Sequence, residues 1–235
     1  MMQMSKNSKP AIMILALSML IILAGTAFAA EKAHERRLRL SAELIHKMSE
    51  QDDAGTMASV VKSSKGVAIF PAVTKAGLGI GGHTGEGVVF LRASDGTWRG
   101  PAFMGITGAS IGFQIGVQSV GLVLVITNQD GLHAFTGGNS FKLGADVSIA
   151  AGPVGRDTSA GTNAPMKASI YSYSMSKGLF AGVSLEGSVI NQNRDANRAY
   201  WGRDMSAKAA LSKPANDKRV RPLINELKKL ISKAQ

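Results

Sequence analysis

No cysteine occurs among the 235 residues. This excludes a disulfide framework, cysteine-ligated zinc, thiol catalysis and a lipidated cysteine anchor. Aromatic residues are scarce at 6%, and their thirteen positions lack the two-girdle spacing that a small membrane barrel needs. The four histidines, His34, His46, His83 and His133, stand at no metal-ligand spacing, so the sequence predicts no metal site and no cofactor. No pair of carboxylates stands out in the glycine-rich middle, and the expectation is a protein that is not an enzyme. What is plentiful is glycine, 27 residues without a G-X-Y period, and positive charge, a net +11 that suits acidic partners.

The first thirty residues read as an address. Lys6 and Lys9 precede an uncharged apolar run from Ala11 to Ala24, and Ala27-Phe28-Ala29 is an A-x-A cleavage pattern. This is the layout of a secretory signal peptide, with the mature chain starting near Ala30. The alternative is an uncleaved anchor, since Ala11 to Ala30 is apolar enough to span. Export without cysteine suits a bacterial periplasm or cell surface. The charge is uneven: residues 188–235 carry a net +7, while 66–187 carry only +1.

Residues 31–50 read as an amphipathic helix, with Leu38, Leu40, Leu44, Ile45 and Met48 on one side and Arg36, Arg39, Glu43, His46, Lys47 and Glu50 on the other. His34 and His46 read as surface residues of this helix. A second short helix runs through Met57, Val60 and Val61. After Gly66 the period changes to two. Ile111, Phe113, Ile115 and Val117 alternate with glycine and glutamine, Leu143 to Ile149 alternates likewise, and so does Ala181 to Leu185. Val88 to Leu91 and Leu122 to Ile126 are apolar on both faces and read as central strands. Asp95-Gly96 and Asp130-Gly131 supply turns, and seven or eight strands are expected between Val67 and Gly187. The glycine stripes Gly77, Gly79, Gly81 and Gly112, Gly116 point to a bend or a close approach. A last helix starts near Pro222, with Leu223, Ile224, Leu227, Leu230 and Ile231 in one stripe.

Three motifs fail on context. Gly77 to Gly82 spells G-x-G-x-x-G but lies in a strand pattern with no helix after it. Gly108-Ala109-Ser110-Ile111-Gly112 spells G-x-S-x-G, with Asp130 and His133 following in hydrolase order, yet a strand rather than a helix follows the serine. The basic helices, with Arg36, Arg37, Arg39 and Lys47 at one end and Lys218, Arg219, Arg221, Lys228 and Lys229 at the other, could lie on an anionic membrane. The plainer account is that both bury their stripes on the sheet. Nucleic acid is not expected, because export removes that partner and no base-stacking aromatic set is present.

The middle of the chain resembles the SYLF domain, a lipid-binding domain that also binds actin in yeast endocytic proteins. The resemblance rests on Lys65 to Pro71, Lys75-Ala76-Gly77, Gly81-Gly82, Trp98 with Pro101-Ala102-Phe103, Gly112 to Gly116 and Leu122 to Val125. It continues through Phe141 to Asp146, Ala150 to Arg156, Tyr173-Ser174, Lys177 to Leu185 and Asn197 to Tyr200, about residues 35–203 in all. It implies a non-enzymatic module that binds phospholipid head groups. In eukaryotic members the ligands are phosphoinositides. An exported chain without an SH3 or FYVE segment is not expected to meet actin, and anionic phospholipid in general is the safer implication.

Five cations inside the family-like blocks, Lys65, Lys75, Lys142, Arg156 and Lys177, are the candidate lipid-binding residues, since phosphate needs cationic donors. The alternative is five solvated strand ends. The expected fold is α+β: a strongly coiled antiparallel sheet or partly closed β-barrel with two N-terminal helices and a C-terminal helix. The expected organisation is a signal peptide at 1–29, a lipid-binding domain at 30–203 and a basic extension with an amphipathic helix at 204–235. The expected function is peripheral binding to anionic phospholipid in the bacterial envelope. The rival is an envelope interaction protein that grips a protein or acidic glycan through its basic tail.

Overall fold

The protein is seen in a computed structural model that describes residues 33–52, 54–153, 168–176, 179–182 and 185–234. The expected leader, Arg156 and Lys177 lie outside the described residues.

The chain opens with α1 (residues 33–49) and α2 (Ala54–Ser63). Two long strands follow, β1 (Gly66–Arg92) and β2 (Trp98–Ile126), paired antiparallel along their whole length from Gly66↔Ile126 to Arg92↔Trp98. Their turn is the one read at Asp95-Gly96. The Asp95 Oδ1 accepts from the Thr97 backbone N–H at 2.9 Å, and Gly96 has φ +81°. The other elements are α3 (Gln129–Gly137), β3 (Ser140–Lys142), β4 (Ile149–Ala151), β5 (Ile170–Ser176), β6 (Leu179–Gly182), β7 (Val189–Gln192), α4 (Arg194–Trp201), α5 (Ala207–Leu211) and α6 (Arg221–Ser232). The sheet order is β3-β7-β2-β5-β4, with β1 against β2 and β6 against β5; only β4 and β5 are parallel.

A 27-residue strand laid straight would run roughly 90 Å, too long for a domain of this size. The ribbon therefore bends double. The Lys65 carbonyl accepts from the Arg92 N–H at 2.7 Å. A Cβ at Gly87 would lie 2.5 Å from the Ile69 carbonyl oxygen, and one at Gly66 would lie 2.5 Å from that of Phe90. Residues 66–73 thus run beside 85–92, and only glycine permits the approach at those two positions. The bend falls where the glycine stripes predict it. β2 has two extra residues on the outside, between the pairs Gly77↔Gly116 and Gly79↔Gly112.

Alternation along the ribbon builds two cores. Val67, Ile69, Val88, Phe90, Phe103, Val123 and Val125 face α1, α2 and α6. Ala68, Phe70, Val89, Met104, Leu122 and Leu124 face α3 and α5. The runs read as central strands are buried on both faces. The α1 and α6 stripes pack into the first core, with Leu38, Ile45 and Met48 from one and Leu223, Leu227 and Leu230 from the other. The architecture is the expected α+β, a curled sheet with helices at both ends.

Three local readings are corrected. Leu143 to Ile149 is not one strand, because the Asp146 Oδ2 accepts from the Lys142 N–H at 2.7 Å and closes a turn through Gly144, φ +84°. Asp130-Gly131 starts α3 instead of a hairpin, because the Asn128 side chain caps the Gly131 N–H at 3.0 Å. His34 is not a surface residue. It is fully buried, with the rings of Phe103 and Tyr200 at 6.0 and 5.6 Å. α4, which no reading anticipated, starts at an Asn193 cap that accepts from the Ala196 N–H at 2.9 Å.

Candidate functional site

Where α1 crosses the bent ribbon, an open groove of about 1080 Å³ remains beside it. Arg36, Arg37 and Arg39 reach it from α1, and Arg219 from the turn leading into α6. Thr74 and Thr84 of β1 line its other side.

The arginines differ in surroundings. Arg37 lies seven residues before Leu44, on the stripe that turns inward, and is 7% exposed. One of its terminal nitrogens donates to Glu86, while the other, Nη1, is buried without a hydrogen-bond partner. Its guanidinium carbon lies 5.5 Å from the centroid of the Phe103 ring. Burial pulls this guanidinium below its ordinary value, and the charge and hydrogen bond of Glu86 oppose that shift. Glu86 also accepts from the Asn193 side-chain amide at 2.7 Å. Arg219 lies 3.9 Å over the Tyr200 ring centroid and donates to Asp217 at 2.7 Å. That hydrogen bond holds the Asp217 carboxyl at about 2, while burial pushes the Tyr200 hydroxyl up to about 12. Arg39 pairs with Glu43 at 2.5 Å, and Arg36 has no ion pair among the described residues.

Planar guanidinium forks match the oxygens of a phosphate mono- or diester. Arg36 and Arg39 are exposed on one side of α1, Arg36 without an ion pair among the described residues and Arg39 held only by the exposed pair with Glu43. Arg37 and Arg219 are held by Glu86 and Asp217 and fix the wall behind them.

Of the five cations read from the sequence, the three that are described sit on different parts of the sheet. Lys65 sits where the two ends of the ribbon meet, its N–H donating to the Ile126 carbonyl at 2.7 Å. Lys75 lies opposite Gln118, near the bend. Lys142 ends β3 opposite Val189. Arg156 and Lys177 lie outside the described residues. The groove arginines were legible only as helix-flanking charge; the signal for Arg37 is its place on the inward stripe.

The failed motifs fail in space as well. Gly77 to Gly82 lies within β1, which continues to Arg92 with no helix following. Ser110 lies opposite Gly81 in β2, whereas Asp130 and His133 line a separate cavity beside α3. A pair that sequence reading missed joins His83 and Ser188, both buried, with Nε2 3.0 Å from Oγ. It ties the ribbon to the start of β7. Burial first, and then the charge of Lys75, lower the His83 pKa.

Both basic helices have their apolar stripes occupied by the core, so neither presents a free apolar face. Among the described residues no helix is long and apolar enough to cross a membrane.

Residues 107–230 match the family Ysc84, described as Las17-binding protein actin regulator. The chain is 41% identical over 155 residues to LAS seventeen-binding protein 3 of Saccharomyces cerevisiae, covering 65% of this chain and 34% of the relative. It is 42% identical over 156 residues to the SH3 domain-containing protein PJ696.02 of Schizosaccharomyces pombe, covering 66% and 36%. It is 37% identical over 150 residues to the human SH3 domain-containing YSC84-like protein 1, covering 64% and 44%. The chain thus spans between a third and a half of the length of these relatives.

Proposed function

The chain belongs to the Ysc84 (SYLF) family, and on that premise we propose that it is a non-enzymatic module that binds anionic phospholipid head groups at a membrane surface. The observation that carries this reading is the arginine groove: two exposed guanidiniums, Arg36 and Arg39, beside a buried third, Arg37, in an open cleft wide enough for a head group. The expected leader extends the proposal to the exported side of a bacterial envelope. Lys65, Lys75, Lys142, Arg156 and Lys177 remain proposed secondary contacts, which add to surface attraction without forming a pocket.

The test is flotation of the protein with phosphatidylcholine vesicles and with vesicles containing phosphatidylglycerol. Binding should require the anionic lipid and fall steeply with salt, as the Debye length shrinks from about 10 Å at 0.1 M to about 3 Å at 1 M. Arg36→Glu with Arg39→Glu should weaken binding about tenfold or more, at roughly 1 kcal/mol per basic residue near the surface. Unchanged binding by that folded double variant removes the groove from the proposal. The second reading follows the family description. Cosedimentation with filamentous actin, in the absence of flotation, would move the function to actin regulation.

A further inference from the structure

The groove holds an anion of its own. Glu86 projects from β1 and divides its carboxylate between two donors: Oε2 accepts from Arg37 of α1, and Oε1 accepts from the side-chain amide of Asn193 at 2.7 Å. The partners are unequal. The Arg37 side chain is 7% exposed and lies against the Phe103 ring, whereas the Glu86 side chain is 59% exposed. The acid can therefore leave into solvent without unpacking anything, and the guanidinium cannot. Asn193 is fixed as well, because its Oδ1 caps α4 on the Ala196 N–H at 2.9 Å.

Shared in this way, the carboxylate satisfies its donors incompletely. Arg37 presents a fork of N–H groups, and Glu86 takes one arm of it while Nη1 stays buried without a partner. A carboxylate offers two oxygens and a single charge. A phosphate monoester offers three free oxygens and a charge of about −1.5 to −2 near neutral pH. It has acceptors for both arms of the fork and for the Asn193 amide together. The exposed Arg36 and Arg39 line the same groove, and Thr84 lies two residues before Glu86 on the same face of β1. A buried guanidinium left unpaired is costly, so a ligand reaches Arg37 only by replacing the acid on it.

We infer that Glu86 is a resident stand-in for phosphate: a phosphate monoester head group, as in phosphatidic acid, binds by displacing it from Arg37 and Asn193, which become the inner donors of the groove. Glu86 is thereby a selectivity gate. A dianion outcompetes its carboxylate, while a singly charged diester such as phosphatidylglycerol meets the outer arginines alone. The inference rests on the phospholipid reading above, and it names the class of head group and the exchange that admits it.

The test compares vesicles containing phosphatidic acid with vesicles containing phosphatidylglycerol at matched surface charge. The protein should prefer phosphatidic acid about tenfold, the scale of a hydrogen bond to a charged group. Glu86→Gln keeps an oxygen for Arg37 and removes the gate, so the preference should fall to about one as the diester gains entry. Glu35→Gln removes the same charge from the same groove without freeing either donor, and should leave the preference unchanged. In the unaltered protein, the Asn193 side-chain amide resonance, identified by its absence from Asn193→Asp, should shift with glycerol 3-phosphate and not with the diester glycerophosphoglycerol. Flotation with the same preference in all three proteins, or with an unmoved Asn193 amide, overturns the exchange and leaves phospholipid binding standing. An amide shift with glycerol 3-phosphate but no flotation assigns the exchange to a soluble phosphate monoester and overturns the phospholipid reading. Neither shift nor flotation overturns both.

Discussion

The long ribbon is one continuous pairing, yet its ends and its middle are covered differently. At residues 66–70 and 120–126, and again at 88–91 and 102–104, it is buried on both faces. In between, the described residues at 74–76, 81–84, 107–109 and 117–119 are exposed or half-buried, His83 excepted. The difference does not lie in strand propensity. It lies in what the neighbouring elements reach: Leu44 of α1 packs at Gly121, and β5 pairs no further along β2 than that residue. Alternation therefore marks a face that wants an apolar partner without saying whether the chain itself supplies one.

The strongest way to break this contrast is to damage the covered end. Phe90→Ala removes a fully buried ring between the ribbon and the helices, and should cost about 3–5 kcal/mol in urea unfolding. A loss below about 1 kcal/mol would mean that this end is no better packed than the middle of the ribbon. Asn197→Ala is next. The buried Asn197 side chain accepts from the Phe103 N–H at 2.9 Å and donates to its carbonyl at 3.1 Å, fastening α4 to β2. Its loss should cost about 2 kcal/mol, since a buried backbone group is left unpaired. The smallest effect belongs at His83, in the middle of the ribbon. His83 has a folded pKa below its ordinary 6.5 because burial disfavours the charged ring. The unfolded chain then binds the extra proton, so stability should be constant above about pH 6.5 and fall as the pH drops below it. His83→Gln should flatten that slope in urea midpoints taken from pH 7.5 to 5. An unchanged slope would place the titration elsewhere.

Much of the fold could be read in advance where a residue's role depends on its own strand or helix. The stripes of α1 and α6, the central runs at Val88 and Leu122, the turn at Asp95 and the bend at the glycines all follow from local period and backbone freedom. What could not be read depends on a distant partner. Leu143 to Ile149 alternates like a strand but is folded by one carboxylate, Asp146, onto a backbone amide. The groove is assembled from residues 36–39, 74–86 and 219, and no period links them. The five lysines and arginines chosen for their blocks share a sequence environment, but the described three share no place in space.

The pairing of the first helix with the last has a consequence for synthesis. His46 of α1 meets Glu226 of α6 at 3.2 Å, and Lys233 donates to the Ser49 carbonyl. The local ribbon can zip from its turn as soon as Ile126 is made, but part of the cover of α1 is encoded some 180 residues after it. Contacts of such separation close slowly, because the entropy of the intervening loop must be overcome first. The cover of the earliest apolar stripe of the domain is thus completed among the last contacts, and a chain shortened before α6 would leave that stripe partly uncovered.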